Sequence, residues 1–269
     1  MSPASWVSDG REPWVFTVNR PDELPGLHEA LMVGSLPAEE RVLHLLYAPL
    51  WAGDDAPFGL GAEPGSHSIA LTDRHLVITK DRHVTGVELV VRTIPIERIL
   101  ELHAGSDLLL AWFAVQYAGE DGVRLLSVLH EATGRHHFHA LVRTCRRLLA
   151  TTKPEPATRS PVTPPWSETR RDVPRQLEEA VSRLLLQGER PRLVARSREE
   201  WGPPSARSRK RGCLHEESVT LESANGLLLA RRGHPTRPGM LSFAVDVACR
   251  PPAVSGGAPS NEVAARWTS

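Results

Sequence analysis

The sequence has few cysteines, few aromatic residues and almost no lysine. Its three cysteines, Cys145, Cys213 and Cys249, lie far apart and form no CxxC pair. An odd number at this spacing argues against a disulfide framework and against a zinc site built on cysteine. We therefore expect a protein of a reducing compartment, the cytoplasm.

The chain also lacks net charge and long hydrophobic runs. Its 32 Lys and Arg residues balance 32 Asp and Glu residues, so no overall positive field attracts nucleic acid or an anionic membrane. The longest apolar run, residues 108–115, is far shorter than the roughly 20 residues that a membrane helix needs. The N-terminus lacks the basic start and apolar core of a signal peptide. These features predict a soluble cytoplasmic protein.

The most informative stretch is residues 67–80, which predicts two short strands joined by a tight turn at Asp73-Arg74. A two-residue loop there places two apolar pairs opposite each other, Leu71 with Leu76 and Ile69 with Ile78. One side of the hairpin is then apolar in both strands. We expect this hairpin to lie in the core.

Further strands and one helix surround the hairpin in the sequence. The patterns predict a strand at 41–47 closed by Pro49, a loop at 48–65, and strands at 87–93, 94–102, 108–117 and 123–130. After Gly134, apolar residues recur at steps of three and four, which is typical of one buried helical stripe: Phe138, Leu141, Val142, Cys145, Leu148 and Leu149. Strands come first and the helix last, so the sequence predicts an α+β fold with an antiparallel sheet.

Three short motifs in this region resemble those of the bacterial pleckstrin-homology-like (PH-like) and GRAM family. They are a Leu-Pro-x-x-Glu lead at residues 36–40, a Leu-Thr-Asp-x-Arg turn at 71–75, and an Ile-Pro-Ile-x-x-Ile segment at 94–99. The arginine of the turn falls one position early, and His75 stands in its place. The resemblance implies a curled antiparallel sheet or split barrel over about residues 36–150, capped by its C-terminal helix. Such an architecture hosts many ligands and few enzymes.

Composition divides the chain into segments: an N-terminal arm with a short helix (1–35, N-capped by Asp22), the PH-like domain (36–150), a Pro-rich linker (151–174), a helix with a β-hairpin (175–250), and a disordered tail (251–269). The smaller, β-rich second half resembles the first in having a predicted hairpin, because residues 218–221 and 227–229 flank an Asn225-Gly226 turn. It is either a degenerate second copy of the PH-like domain or a part that packs on the first half.

Basic residues are the candidate ligand-binding groups. They are Arg74, Lys80 and Arg82 near the early strands, and Arg207, Arg209, Lys210 and Arg211 in a later loop. Two further basic patches are Arg143, Arg146 and Arg147 on the first-half helix, and Arg231, Arg232 and Arg237. In eukaryotic relatives of the fold, basic residues around the early strands hold phosphoinositide headgroups. An ordinary solvated surface is the competing interpretation. No aromatic residues interleave with the basic runs, so we do not expect nucleic-acid binding.

The densest group of possible metal ligands is the histidine-rich segment at 130–139. His136 and His139 could share a helix face, but Gly134 stands where a zinc protease needs its second histidine. We therefore interpret the segment as a solvated helical turn, and we find no nucleophile motif.

The sequence favours a non-enzymatic binding or adaptor protein for a protein or peptide partner, with no cofactor. Binding of anionic lipid or a phosphate ligand is the alternative, a metal-dependent enzyme is a weaker one, and the oligomeric state stays open.

Overall fold

A computed structural model describes residues 15–51, 65–81, 90–152, 166–198, 200–201, 213–215, 217–233 and 244–252. These residues form an α+β fold with a five-stranded and a seven-stranded antiparallel sheet. No helix in the described ranges has an apolar stretch long enough to cross a bilayer.

The first sheet contains β1 (Phe16–Thr17), β2 (Val42–Trp51), β3 (Gly65–Thr72), β4 (His75–Asp81) and β5 (Val90–Pro95), in that order. The predicted hairpin is confirmed, since β3 and β4 pair Leu71 with Leu76 and Ile69 with Ile78 across a two-residue loop. All four side chains are buried in the main core. Helix α1 (Leu27–Ser35) covers the opposite face of this sheet.

Two predictions about this region were wrong in their boundaries. Helix α1 begins after Gly26 and not at Asp22, because Leu24 precedes Pro25 and is held in the extended conformation that a following proline favours. Strand β2 continues past Pro49. The pairing register shifts between Ala48 and Trp51, which places the proline where the ladder is already irregular.

The second sheet contains strands from both halves of the chain. They are β6 (Ile99–Ser106), β7 (Leu110–Gly119) and β8 (Gly122–Glu131) from the first half, and β9 (Arg192–Ser197), β12 (Ser218–Ser223), β13 (Gly226–Arg232) and β14 (Val245–Arg250) from the second. A short pair, β10 (Glu200–Trp201) and β11 (Cys213–His215), stands apart. The strand order β8-β7-β6-β14-β13-β12-β9 joins the two halves through β6 and β14.

The turn between β12 and β13 differs by one residue from the prediction. Ser223 pairs with Gly226, so the loop residues are Ala224 and Asn225, and Gly226 is the first residue of β13. Gly226 has φ 109°, and a Cβ atom there would lie 2.0 Å from the carbonyl oxygen of Arg250. Close approach of a neighbouring strand therefore fixes the position of this glycine.

In the described residues, three α-helices lie between β8 and β9: α2 (Arg135–Thr152), α3 (Trp166–Thr169) and α4 (Arg175–Leu184). The stripe predicted for α2 is confirmed except at half-buried Leu148, and the stripe of α4 enters the same core. Segment α3 and the turn after it lie inside the segment predicted as a Pro-rich linker, so residues 166–172 of that segment are helical.

A buried ion pair ties α2 to the second half. Arg146 of α2 and Glu189 beyond α4 have side chains only 3% and 1% exposed, and their closest N to O distance is 2.6 Å. Arg146 also donates to the carbonyl of Leu184, while the Glu189 carboxylate accepts from the Ser223 hydroxyl and the Leu186 amide. The sequence interpretation of Arg146 as part of a basic surface patch was therefore wrong. Burial alone would raise the pKa of Glu189, but Arg146 and these hydrogen bonds hold it below its usual value.

We expect Glu189→Ala to lower the free energy of unfolding by about 3–5 kcal/mol, because it leaves the buried Arg146 charge without its partner. Urea denaturation measures the change. Glu222→Ala is the matched control, since it breaks the half-exposed pair with Arg192 and costs at most about 1 kcal/mol. Equal losses in the two variants would contradict a special role for the buried pair.

Candidate binding cleft

The structure does not bring Arg74 and Lys80, two of the predicted basic residues, together. Arg74 is exposed in the turn between β3 and β4, whereas Lys80 is only 6% exposed near the other end of β4. Six residue steps along the strand separate them, which is about 20 Å. Arg82, Arg207, Arg209, Lys210, Arg211 and Arg237 lie outside the described residues.

The histidines of the 130–139 segment have separate environments. His136 is exposed on the first turn of α2, where its Nδ1 donates to the carbonyl of Thr133 at 3.0 Å. His139 is half-buried and lines a cleft between α2 and α4. Among the described residues, no group of three or more His, Cys, Asp or Glu side chains is arranged to hold a metal ion.

His130 is a core residue. Its ring stacks on Phe138 with centroids 4.1 Å apart, and its Nδ1–H donates to the carbonyl of Glu131 at 2.8 Å. Within the described residues, its buried Nε2 has no hydrogen-bond partner. Burial lowers the pKa of His130 to about 3, so the folded chain keeps this ring neutral.

This burial predicts a pH dependence of stability. The unfolded chain takes up a proton on His130 near the ordinary pKa of 6.5, and the folded chain does so only near 3. Stability is therefore lost as pH falls below about 6.5, by up to about 1.4 kcal/mol per pH unit for this group. We expect His130→Phe to be less stable than the parent at pH 7, through loss of the hydrogen bond, and to lose less stability on acidification.

Urea denaturation across this pH range measures the effect, with His136→Phe at an exposed position as the control. If His130→Phe kept the pH dependence of the parent, the folded chain would have to protonate this ring.

The candidate site is a cleft of about 300 Å³ where the two halves of the chain meet. Its walls come from the first two turns of α2, from one face of α4, from the turn between β6 and β7, and from the start of β14. The lining side chains that carry chemistry are Arg135 and His139 on α2, Gln176, Glu179 and Arg183 on α4, and Asp107 and Leu108 in the turn. Steps of three and four residues place the helical members on one face of each helix.

Two guanidinium groups line this cleft. Among the described residues, neither Arg135 nor Arg183 makes an ion pair within 4 Å. Arg143, one turn beyond His139, donates to the backbone carbonyl of Arg183 at 2.6 Å and so links α2 to the end of α4. Burial and the charges of Arg183, Arg135 and Arg143 lower the pKa of His139 to about 4. The helical walls thus present two guanidinium groups beside a neutral imidazole, with Glu179 as the acidic group on α4.

The two carboxylates of the cleft are already engaged. Asp107 accepts from the amide of Leu108 at 2.7 Å, and Glu179 accepts from Arg175 at 3.2 Å. Beside them, Leu108 and the following Leu109 are 69% and 79% exposed. The cleft therefore combines unpaired positive charge with an exposed apolar lip.

A second polar cluster lies on the other face of the seven-stranded sheet. The Asp246 carboxylate accepts from His103 Nδ1 at 3.0 Å, from Trp112 Nε1 at 2.9 Å and from Arg231 at 3.2 Å. Burial would raise the pKa of Asp246, but His103 and Arg231 hold it below its usual value. Gly105 makes room for the Trp112 ring, which a Cβ atom would approach to 2.2 Å. These satisfied contacts are typical of a structural network.

Glu40 connects two of the motifs that carry the family resemblance. Its carboxylate accepts from the Thr72 hydroxyl at 2.6 Å and from His75 Nδ1 at 2.7 Å. Burial would raise the pKa of Glu40, but these hydrogen bonds outweigh it and lower the pKa. His75, at the place of the family's arginine, thereby closes the turn onto the segment before β2.

Sequence reasoning missed the cleft, although one signal for it is present. Arg135, His139 and Arg143 recur every four residues on α2, beside the apolar stripe. Their partners on α4 come from the other half of the chain. Compared with protein-family models, curated proteins and solved structures, the chain has no significant match.

Proposed function

We propose that this chain is a non-enzymatic binding or adaptor protein of PH-like type, which recognises a protein or peptide segment in the cleft between α2 and α4. The PH-like assignment is supported by the order of elements in the first half. Strands β2–β5 form one antiparallel sheet, β6–β8 contribute to a second, and α2 follows and packs in the core between them.

The observation that carries the proposal is the coincidence of unpaired charge, apolar exposure and concavity at one place. Arg135 and Arg183 are without acidic partners among the described residues, and Leu108 is largely exposed at the same cleft. Ligand sites are concave, and they combine apolar surface with a few placed polar groups. Exposed leucines that adjoin such a site mark an interaction surface more than scattered single ones do.

Anionic lipid is the competing ligand, because exposed leucines beside arginines also suit a membrane surface. The cleft is a concave space of about 300 Å³ between two helices, which suits an extended segment better than the broad surface of a bilayer. Arg74 and Lys80 lie far from each other and form no second basic patch. These points favour a peptide over a lipid. The metal-dependent enzyme has no observation in its favour among the described residues.

Site-specific photocrosslinking tests the proposal in the full chain. A photoreactive amino acid in place of Leu109 is expected to capture polypeptide from native lysate, and excess unmodified protein should compete for it. The matched control carries the photoreactive residue at Val33, a 57% exposed apolar position on α1, and should give no such product. Capture of lipid instead of polypeptide at position 109, or equal capture at the two positions, would contradict the proposal.

A further inference from the structure

We propose that the cleft takes an acidic peptide, with a carboxylate paired to Arg135 and Arg183 and an adjacent apolar side chain against Leu108 and Leu109. This inference rests on the proposed function and names the chemistry of its ligand.

The positive charges of the cleft converge on one space. Arg135 begins α2, Arg183 lies near the end of α4, both line the cleft, and both charges act on the half-buried ring of His139. A guanidinium binds a carboxylate through two parallel hydrogen bonds, and the pairing is strongest where water is partly excluded. Neither Asp107 nor Glu179 pairs with these two arginines within 4 Å, so an incoming carboxylate would displace no ion pair between these cleft residues.

The backbone of Arg183 is held independently of its side chain. Its carbonyl accepts from Arg143, so the end of α4 keeps its place on α2 when the Arg183 side chain is changed. His139 stays neutral at ordinary pH, as its pKa of about 4 requires. The attraction for an anion therefore comes from the arginines, and the imidazole contributes at most a hydrogen bond.

The apolar part of the ligand follows from the rest of the lining. Ala104, Ala180 and Val245 form apolar wall, the exposed Leu108 lines the same cleft, and the exposed Leu109 follows it in the turn. A cleft of about 300 Å³ lies at the small end of ligand sites, which run from about 300 to 1,000 Å³. It suits a few side chains of an extended segment and is too small for the surface of a folded domain.

Fluorescence anisotropy with defined peptides tests the inference on the full chain. The probes are short fluorescein-labelled peptides: one of alternating Glu and Leu, one with Gln for each Glu, and one with Ser for each Leu. The Glu-Leu peptide should bind about tenfold or more tightly than either of the others. Added salt should weaken its binding, since the pairing is electrostatic.

Substitutions connect the binding to the cleft. Arg183→Gln and Arg135→Gln should each weaken the Glu-Leu peptide about tenfold, while leaving the weak binding of the Gln-Leu peptide unchanged. Arg124→Gln, at an exposed position in the turn between β7 and β8, is the matched control and should bind like the parent. Urea midpoints close to that of the parent show that each variant is folded.

The possible results separate this inference from the proposed function. Equal binding of the Glu-Leu and Gln-Leu peptides, or no effect of either cleft arginine, would overturn the acidic-peptide inference. If Leu109 still captured polypeptide, the proposed function would stand with a different ligand chemistry. Tight binding to vesicles containing phosphatidylserine, with no peptide binding and no polypeptide capture, would overturn both.

Discussion

The contact on which the assembled structure depends is the buried ion pair of Arg146 and Glu189. Removing two charges from water is costly, so the pair is stable only where further hydrogen bonds satisfy the remaining polar atoms. Ser223 and the Leu186 amide supply those bonds to Glu189, and the carbonyl of Leu184 accepts from Arg146. The ion pair and its hydrogen bonds thereby attach the end of α4, the loop after it and β12 to α2.

The cleft is a consequence of this arrangement. Its two helical walls belong to α2 and α4, and the Arg146 pair and the bond from Arg143 to the Arg183 carbonyl hold them together. The seven-stranded sheet supplies the floor, because β14 pairs with β6 and brings Val245 opposite Ser106. A site formed in this way requires both halves, which is why residues 36–150 alone do not contain it.

The parts of the fold that sequence predicted are those decided by neighbours in the chain. In the hairpin at 67–80, alternating apolar residues and a two-residue turn agree with each other, and the register follows. The stripe of α2 is equally local. The turn at Asn225-Gly226 was displaced by one residue because its register depends on the approach of Arg250, which lies outside the local pattern.

Contacts between residues far apart in the sequence had no comparable signal in the local sequence pattern. Asp246 alternates with apolar residues, as a solvated residue on a half-buried strand does, and yet it is fully buried and bonded to His103 of the other half. Arg143 and Arg146 look equivalent in sequence. Arg146 stands four residues after Val142 and three before Leu149, which are both core residues, so helical spacing places it at the edge of the buried stripe. The position of Arg146 at the edge of the buried stripe could be predicted from the sequence, but its acidic partner Glu189 could not.

The arginines of this chain therefore differ in whether the fold supplies them with a carboxylate partner. An arginine-rich, lysine-poor composition says little about ligands, since a coding bias produces it as readily as selection for anion binding. Arg146 and Arg250 have carboxylate partners within the fold, Glu189 and Glu101, and their charges serve the structure. Arg135 and Arg183 stand at a concave surface without such partners in the described part of the chain. Charge that the fold leaves uncompensated in a cleft is the physical ground for assigning binding to that place and not to the basic runs of the sequence.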